Sequence, residues 1–306
     1  MTSGTLPTSD AGVAARALVT VARDIKLSHS VFALPWALLS AFLAAGSSPA
    51  WGRFAGQVGL IVVCMVSART VAMAMNRVLD AKLDAINPRT AGRAIPAGRI
   101  SVRQYLFVTI VFAVLFFLST AGFGWAFGNW WPARLSVFVL AFLCAYPLLK
   151  RFTSLCHYYL GAALALAPVC AWVAVAGTVE LTPFLIAGAV LFWTAGFDVI
   201  YACQDYASDV ATGVFSVPAR MGVGPALWVA RASHVLSVGF MISLGRGVPA
   251  FGTIYFVGVT LAAGLLVVEH WLVRADDLSK VGLAFFTING VISLVVGTLG
   301  VVDIFV

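Results

Sequence analysis

Four aspartates, Asp80, Asp84, Asp205 and Asp209, form two pairs at i, i+4 in a chain with only 12 acidic residues among 306. On a helix that spacing puts both carboxylates of a pair on one face, one turn apart. Like charges so placed repel, so the arrangement costs energy unless a cation occupies it. Hard oxygen ligands that meet a metal through one or two carboxylates, with phosphates completing the shell, describe a magnesium-diphosphate site. Asn76 lies one turn further back and makes a three-point ladder with Asp80 and Asp84. Asp198 and Tyr201 extend the second ladder, seven and four residues before Asp205. Asp205 and Asp209 each follow their counterparts by 125 residues. A proline-centred loop follows each pair, AIPAGRI at 94–100 and SVPARMG at 216–222. The pattern reads as an internal repeat that brings two carboxylate ladders face to face.

A diphosphate also needs positive charge. Arg69 lies seven residues before Asn76, two turns back on the same face and inside an apolar stretch. An arginine in that setting implies a partner. Arg77, Arg89, Arg93, Lys150, Arg151 and Arg220 fall close enough in topology to contribute, and Lys26 stands at the entrance of the first apolar stretch. Arginine meets phosphate oxygens bidentately and lysine as a point charge. His29 reads as an interfacial residue, while His157, His234 and His270 have no metal-ligand spacing and receive no role. The five cysteines form no CxxC pair, and neither a disulfide framework nor a zinc site is expected.

The elements that position these residues are membrane helices. The chain is 61% hydrophobic and 10% charged, against roughly half and a quarter for a soluble domain. The net charge of +7 is divided among short segments between apolar spans, which excludes the continuous basic face of a nucleic-acid binder. About 20 apolar residues cross a bilayer as a helix. Nine segments qualify: 29–47, 55–76, 103–122, 134–149, 155–176, 182–202, 224–244, 249–270 and 281–303. The fold class is therefore all-α, a polytopic bundle of nine transmembrane helices. It comprises an N-terminal cytoplasmic segment, 1–27, and one transmembrane domain, 28–306.

Residues 1–10 are expected to be disordered and 13–25 to form an interfacial amphipathic helix, with no cleaved signal peptide. Lysine and arginine concentrate on one side, which places the N-terminus and both aspartate motifs at the cytoplasmic face of the cell membrane. Trp51, Trp125, Trp130 and Trp131 gather at the opposite boundary. The two longest inner connections, about 77–102 and 203–223, follow the aspartate motifs and read as functional caps.

These residues resemble the UbiA superfamily of intramembrane prenyltransferases. Asn76, Asp80 and Asp84 look like that family's NxxxDxxxD, and Tyr201, Asp205 and Asp209 like its YxxxDxxxD. Tyr146, Lys150 and Arg151, in YPLLKRF, match a shorter third signature. The segments IKLSHSVFALPWAL, NPRTAGR and FDVIYACQD are most similar to polyprenyltransferases of quinone biosynthesis, of the 4-hydroxybenzoate or 1,4-dihydroxy-6-naphthoate type. Val210 stands where that family has a basic residue after its second motif.

The resemblance implies Mg2+-dependent transfer of a prenyl group from an isoprenyl diphosphate to an aromatic acceptor through an allylic cation. Asp80, Asp84, Asp205, Asp209 and Asn76 would hold the metal. Asp198, Tyr146 and Tyr201 would place the acceptor or shield the cation. A membrane terpene cyclase, with the same metal site and no acceptor, is the alternative enzyme reading. An ion-coupled transporter is the non-enzyme alternative, although transporters hold coupling acids near the bilayer midplane.

Overall fold

The structure, a computed structural model, describes residues 18–25 and 32–306. Its main helices are α1 (Leu34–Ala45), α2 (Trp51–Leu79), α3 (Val102–Phe127), α4 (Trp131–Leu149), α5 (Cys156–Ala176), α6 (Leu181–Ala202), α7 (Val223–Gly247), α8 (Thr253–Leu272) and α9 (Val281–Asp303). Among the described residues, α2 to α9 are the eight helices long and apolar enough to cross a membrane. The expected first span, 29–47, is shorter. Its described part, α1, has 12 residues, which at about 1.5 Å each reach about 18 Å. Proline stands in its first turn, and Gly46, with φ 73°, ends it by turning two backbone bonds back to Phe42 and Leu43. Residues 29–31 lie outside the described residues.

Inside lipid the apolar surface of a helix gains little from meeting another helix, so close packing and interhelical hydrogen bonds carry association. Gly161 of α5 lies where a Cβ would collide with the Leu191 carbonyl of α6, which fixes the closest approach of those two helices. Ser40 donates to Pro168 O at 2.6 Å, tying α1 to α5, and Ser237 to Ala189 O at 2.8 Å, tying α7 to α6. Ser293 of α9 donates to Phe32 O at 3.0 Å, beside the start of α1. Asp303, at the end of α9, accepts from the backbone N–H groups of Gly252 and Tyr255 and caps α8 from outside it. Trp125, Phe138, Val267 and Trp271 face outward, as a lipid-facing surface requires.

The described part of the expected amphipathic helix, 18–24, is helical. It docks by burying Val21 and Ile25 against Ala74 of α2 and Tyr105 and Val108 of α3. The two long connections that follow the aspartate motifs fold over one end of the bundle. The first contains the short helix Ala81–Ile86, the second Tyr206–Thr212 and Val217–Met221.

Candidate active site

Asp80, Asp84, Asp205 and Asp209 all line one cavity of about 1020 Å³. Each ladder is helical with one break. Helix α2 stops at Leu79, Asp80 takes φ −92° and ψ 2°, and helix resumes at Ala81. The i, i+4 bonds nevertheless run through the break, Asp80 N–H to Asn76 O at 2.9 Å and Asp84 N–H to Asp80 O at 2.8 Å. The second ladder breaks at the equivalent place, with Asp205 at φ −96° and ψ 4° before Tyr206–Thr212. The 125-residue spacing is thus matched by the same local conformation at the first aspartate of each pair.

Each of three aspartates meets a cation. Lys150 Nζ is 2.5 Å from Asp80 Oδ2, with Arg151 at 3.7 Å from Oδ1. Arg93 is 2.7 Å from Asp84 Oδ1. Arg89 grips Asp205 with two nitrogens, at 2.8 and 2.5 Å, and donates to the Tyr201 hydroxyl at 2.9 Å. Arg89 belongs to the first cap and Asp205 to the second motif, so this contact closes the two halves on each other. Burial lowers the proton affinity of Arg89, but the bonded Asp205 carboxylate more than offsets it and holds the guanidinium above the ordinary arginine range. Asp80 behaves oppositely. Burial pushes its carboxyl above the usual range, Asp84 adds to that, and Lys150 and Arg151 only partly oppose it.

The other anticipated residues divide. Tyr146, Tyr201, Asp198, Asn76 and Arg69 line the cavity. Arg69 also donates to Ile25 O at 3.5 Å. Arg77 is buried, 3.4 Å from Asp24 and 3.2 Å from Asn76 Oδ1, so it ties the N-terminal helix to the ladder. Arg220 stacks over Phe215 at 3.7 Å in the second cap and, like Arg151, is not part of the cavity lining. Lys26 lies outside the described residues. Beyond the polar mouth the lining is apolar. Lys150, Tyr146, Leu143, Val139, Ser136 and Pro132 form one face of α4 and its C-terminal end, a run of about 27 Å at the helical rise.

A polar mouth built from two carboxylate ladders over an apolar tunnel suits a substrate with an anionic head and a hydrocarbon tail. The family model described as the UbiA prenyltransferase family matches residues 33–291. The chain belongs to this family. The 4-hydroxybenzoate octaprenyltransferase of Tolumonas auensis is 32% identical over 224 residues, covering 73% of this chain and 76% of the relative. That of Pseudomonas fluorescens is 30% identical over 260 residues, covering 83% of each. Among solved structures, the apo UbiA homolog from Aeropyrum pernix K1 superposes with a TM-score of 0.79 at 29% identity, covering 90% of this chain and 98% of that one. The UbiA homolog from Archaeoglobus fulgidus bound to GPP and Mg2+ shares the fold, with a TM-score of 0.67 at 19% identity over 94% of this chain and 100% of that one. This protein is accordingly a multi-pass membrane prenyltransferase.

Among the described residues of this UbiA chain, no three histidine, cysteine, aspartate or glutamate side chains form a protein-only metal cage. The residues nevertheless fit a cation shared with phosphate. Asp80 Oδ1 and Asp84 Oδ2 are buried oxygens without a hydrogen-bond donor, and a divalent ion is the partner such acceptors lack. Two contributors escaped sequence reasoning. Asn87 donates to Asp205 Oδ1 at 2.8 Å. Its place in an Asn-Pro-Arg turn after the first motif was the available signal. His157 Nδ1 lies 2.7 Å from Asp198 Oδ2, a meeting across 41 residues that no local spacing announces.

Proposed function

We propose that this protein transfers a prenyl group from an isoprenyl diphosphate to an aromatic hydroxy acid of the hydroxybenzoate or dihydroxynaphthoate class, releasing diphosphate. The observation that carries the reading is the placing of both aspartate pairs at the mouth of a single tunnel whose remaining wall is apolar. The relatives named for 4-hydroxybenzoate support the acceptor class.

Charge balance supports Mg2+ as the cofactor. Six aspartates and seven lysines or arginines line the described cavity, so the side chains leave little net positive charge for a diphosphate. Divalent cations would supply the missing charge, and Asp80, Asp84, Asp205 and Asp209 would hold them with help from Asn76. When bound, Mg2+ neutralises the charge that develops on the departing diphosphate. Arg89, Arg93 and Lys150 supply donors at the same mouth, and Arg151 reinforces Asp80. Tyr201 presents its ring at the boundary between mouth and tunnel, with Phe285 packed on it at 4.2 Å. The apolar wall excludes the water that would quench an allylic cation. The charge distribution along the chain supports a cytoplasmic mouth.

The test is incubation of membranes containing the protein with Mg2+, radiolabelled prenyl diphosphates of several lengths and candidate aromatic acids, followed by product identification. A prenylated aromatic acid is expected. Labelled hydrocarbon formed without an acceptor would replace transfer by cyclisation.

A further inference from the structure

We infer that His157 is a positioning residue of the transfer reaction, holding Asp198 as the oriented carboxylate that removes the acceptor's ring proton. This rests on the acceptor reading above. His157 sits in the first turn of α5 and is 3% exposed. Its two ring nitrogens have different partners. The backbone N–H of Val217, in the second cap, donates to Nε2 at 3.1 Å. A backbone amide has only a hydrogen to offer, so Nε2 carries none. The ring proton is therefore on Nδ1, which donates to Asp198 Oδ2 at 2.7 Å.

That arrangement separates Asp198 from the three cavity acids that are paired with cations. Asp80, Asp84 and Asp205 each face a lysine or arginine. Asp198 faces a neutral imidazole, which orients a carboxylate without cancelling its charge. Asp198 lines the cavity one turn before Tyr201, and 15% of its side chain stays exposed. It is thus an oriented carboxylate on the cavity wall, open to a bound acceptor.

The C–O bond of the donor breaks and its electron pair leaves on diphosphate. A π pair of the acceptor ring forms the new C–C bond. The proton on that ring carbon passes to the Asp198 carboxylate, and the C–H pair restores aromaticity. Asp198 then loses the proton to water at the cavity mouth.

The second cap sets this state. Phe215 N–H donates to Lys150 O at 2.7 Å, and Cys156 Sγ approaches Phe215 O at 3.5 Å. Ser216 caps the Val217–Met221 helix by accepting from Ala219 N–H at 3.3 Å. The amide that fixes the His157 tautomer is therefore anchored to the end of α4 that also carries Lys150.

Two isosteres separate the roles. In His157→Asn the amide nitrogen falls near Nδ1 and keeps the bond to Asp198. In His157→Gln the amide oxygen falls near Nε2 and keeps only the bond from Val217. General-base assistance is worth about 10²–10⁴ in rate. His157→Gln and His157→Leu should therefore lower kcat by about 10²-fold or more. The KM for prenyl diphosphate should stay within about twofold, while His157→Asn recovers most of the rate. Asp198→Asn should show the same loss, and combining it with His157→Gln should add little. Full kcat in His157→Gln, or a loss seen only in His157→Asn, overturns the inference in favour of a cap anchor. If the wild type makes no prenylated aromatic acid, the acceptor reading itself fails. Nitrogen NMR of labelled histidine tests the tautomer in either event: protonated Nδ1 with bare Nε2 is required, and a proton on Nε2 sinks the proposal.

Discussion

Replacing Lys150 by methionine isolates the electrostatics of the first motif. Asp80 is 1% exposed, and its short contact is Lys150 Nζ at 2.5 Å. Methionine keeps most of the stem and removes the charge. Stranding one member of a buried ion pair costs about 3–5 kcal/mol. Two features reduce that here. The Lys150 side chain is 24% exposed, and Arg151, itself 44% exposed, remains 3.7 Å from the other Asp80 oxygen. Burial already pushes the Asp80 carboxyl upward, so losing the lysine also lets it take a proton instead of staying charged. We therefore expect about 2–3 kcal/mol. In a chain of this size that is about 3–6 °C in apparent Tm, measured in detergent with EDTA.

Two further measurements give the prediction its content. Mg2+ with inorganic diphosphate should raise the Tm of the Lys150→Met protein more than that of the wild type, because a divalent ion beside Asp80 replaces the missing charge. Adding Asp80→Asn should return at least about 1 kcal/mol, since removing both partners leaves no buried charge behind. If the double variant is no more stable than Lys150→Met alone, the Asp80 charge is not what the lysine balances and the reasoning fails.

Asp84→Ala and Asp205→Ala should each lower prenyl transfer by about 10²–10³-fold, and EDTA should abolish wild-type transfer until Mg2+ is restored. Full turnover in either variant would remove the metal assignment. Ser136→Trp places an indole in the tunnel wall deep along α4, and should depress turnover of long prenyl donors while sparing short ones in a direct competition assay. Asn289→Ala deprives both Trp193 Nε1 and Glu269 Oε1 of their partners, at 2.6 and 2.8 Å. It should cost about 2–4 kcal/mol, read as a lowered apparent Tm with KM unchanged.

The spans were legible in the sequence because a helix in lipid must satisfy its own backbone and be apolar over a set length. Eight of the nine expected segments became helices with ends shifted by a few residues. The first did not reach full length in its described part, where Gly46 ends the helix and Ser47, Ser48 and Pro49 follow. The aspartate ladders were legible because i, i+4 spacing is local information. The destinations of the basic residues were not. Proximity in the chain gives Arg77 and Arg89 alike to the diphosphate. Yet Arg77 turns to Asp24, and Arg89 crosses 116 residues to Asp205. Those choices depend on which helix ends the bundle brings together. The buried Glu269–Asn289–Trp193 link is equally invisible, because each member alone reads as one polar or aromatic residue in a hydrophobic span.

The two caps dock by the same device with different chemical consequences. Ala94 N–H of the first cap donates to Asp24 Oδ1 at 3.0 Å, and Asp24 also accepts from the Tyr105 hydroxyl at 2.9 Å and pairs with Arg77. Val217 N–H of the second cap donates to His157. The first bond ends on an anion already balanced by an arginine, so it fixes a loop and the orientation of Asn76. The second ends on a neutral ring whose remaining proton goes to a cavity-lining carboxylate, so it fixes a protonation state. Asp80, Asp84 and Asp205 face cations at the diphosphate mouth, while Asp198 faces an imidazole. Removing Lys150 should therefore act on donor and metal binding, and removing His157 should slow the step after the C–C bond forms. The separation of these effects between KM and kcat is the signature of a site in which binding and proton removal are assigned to different aspartates.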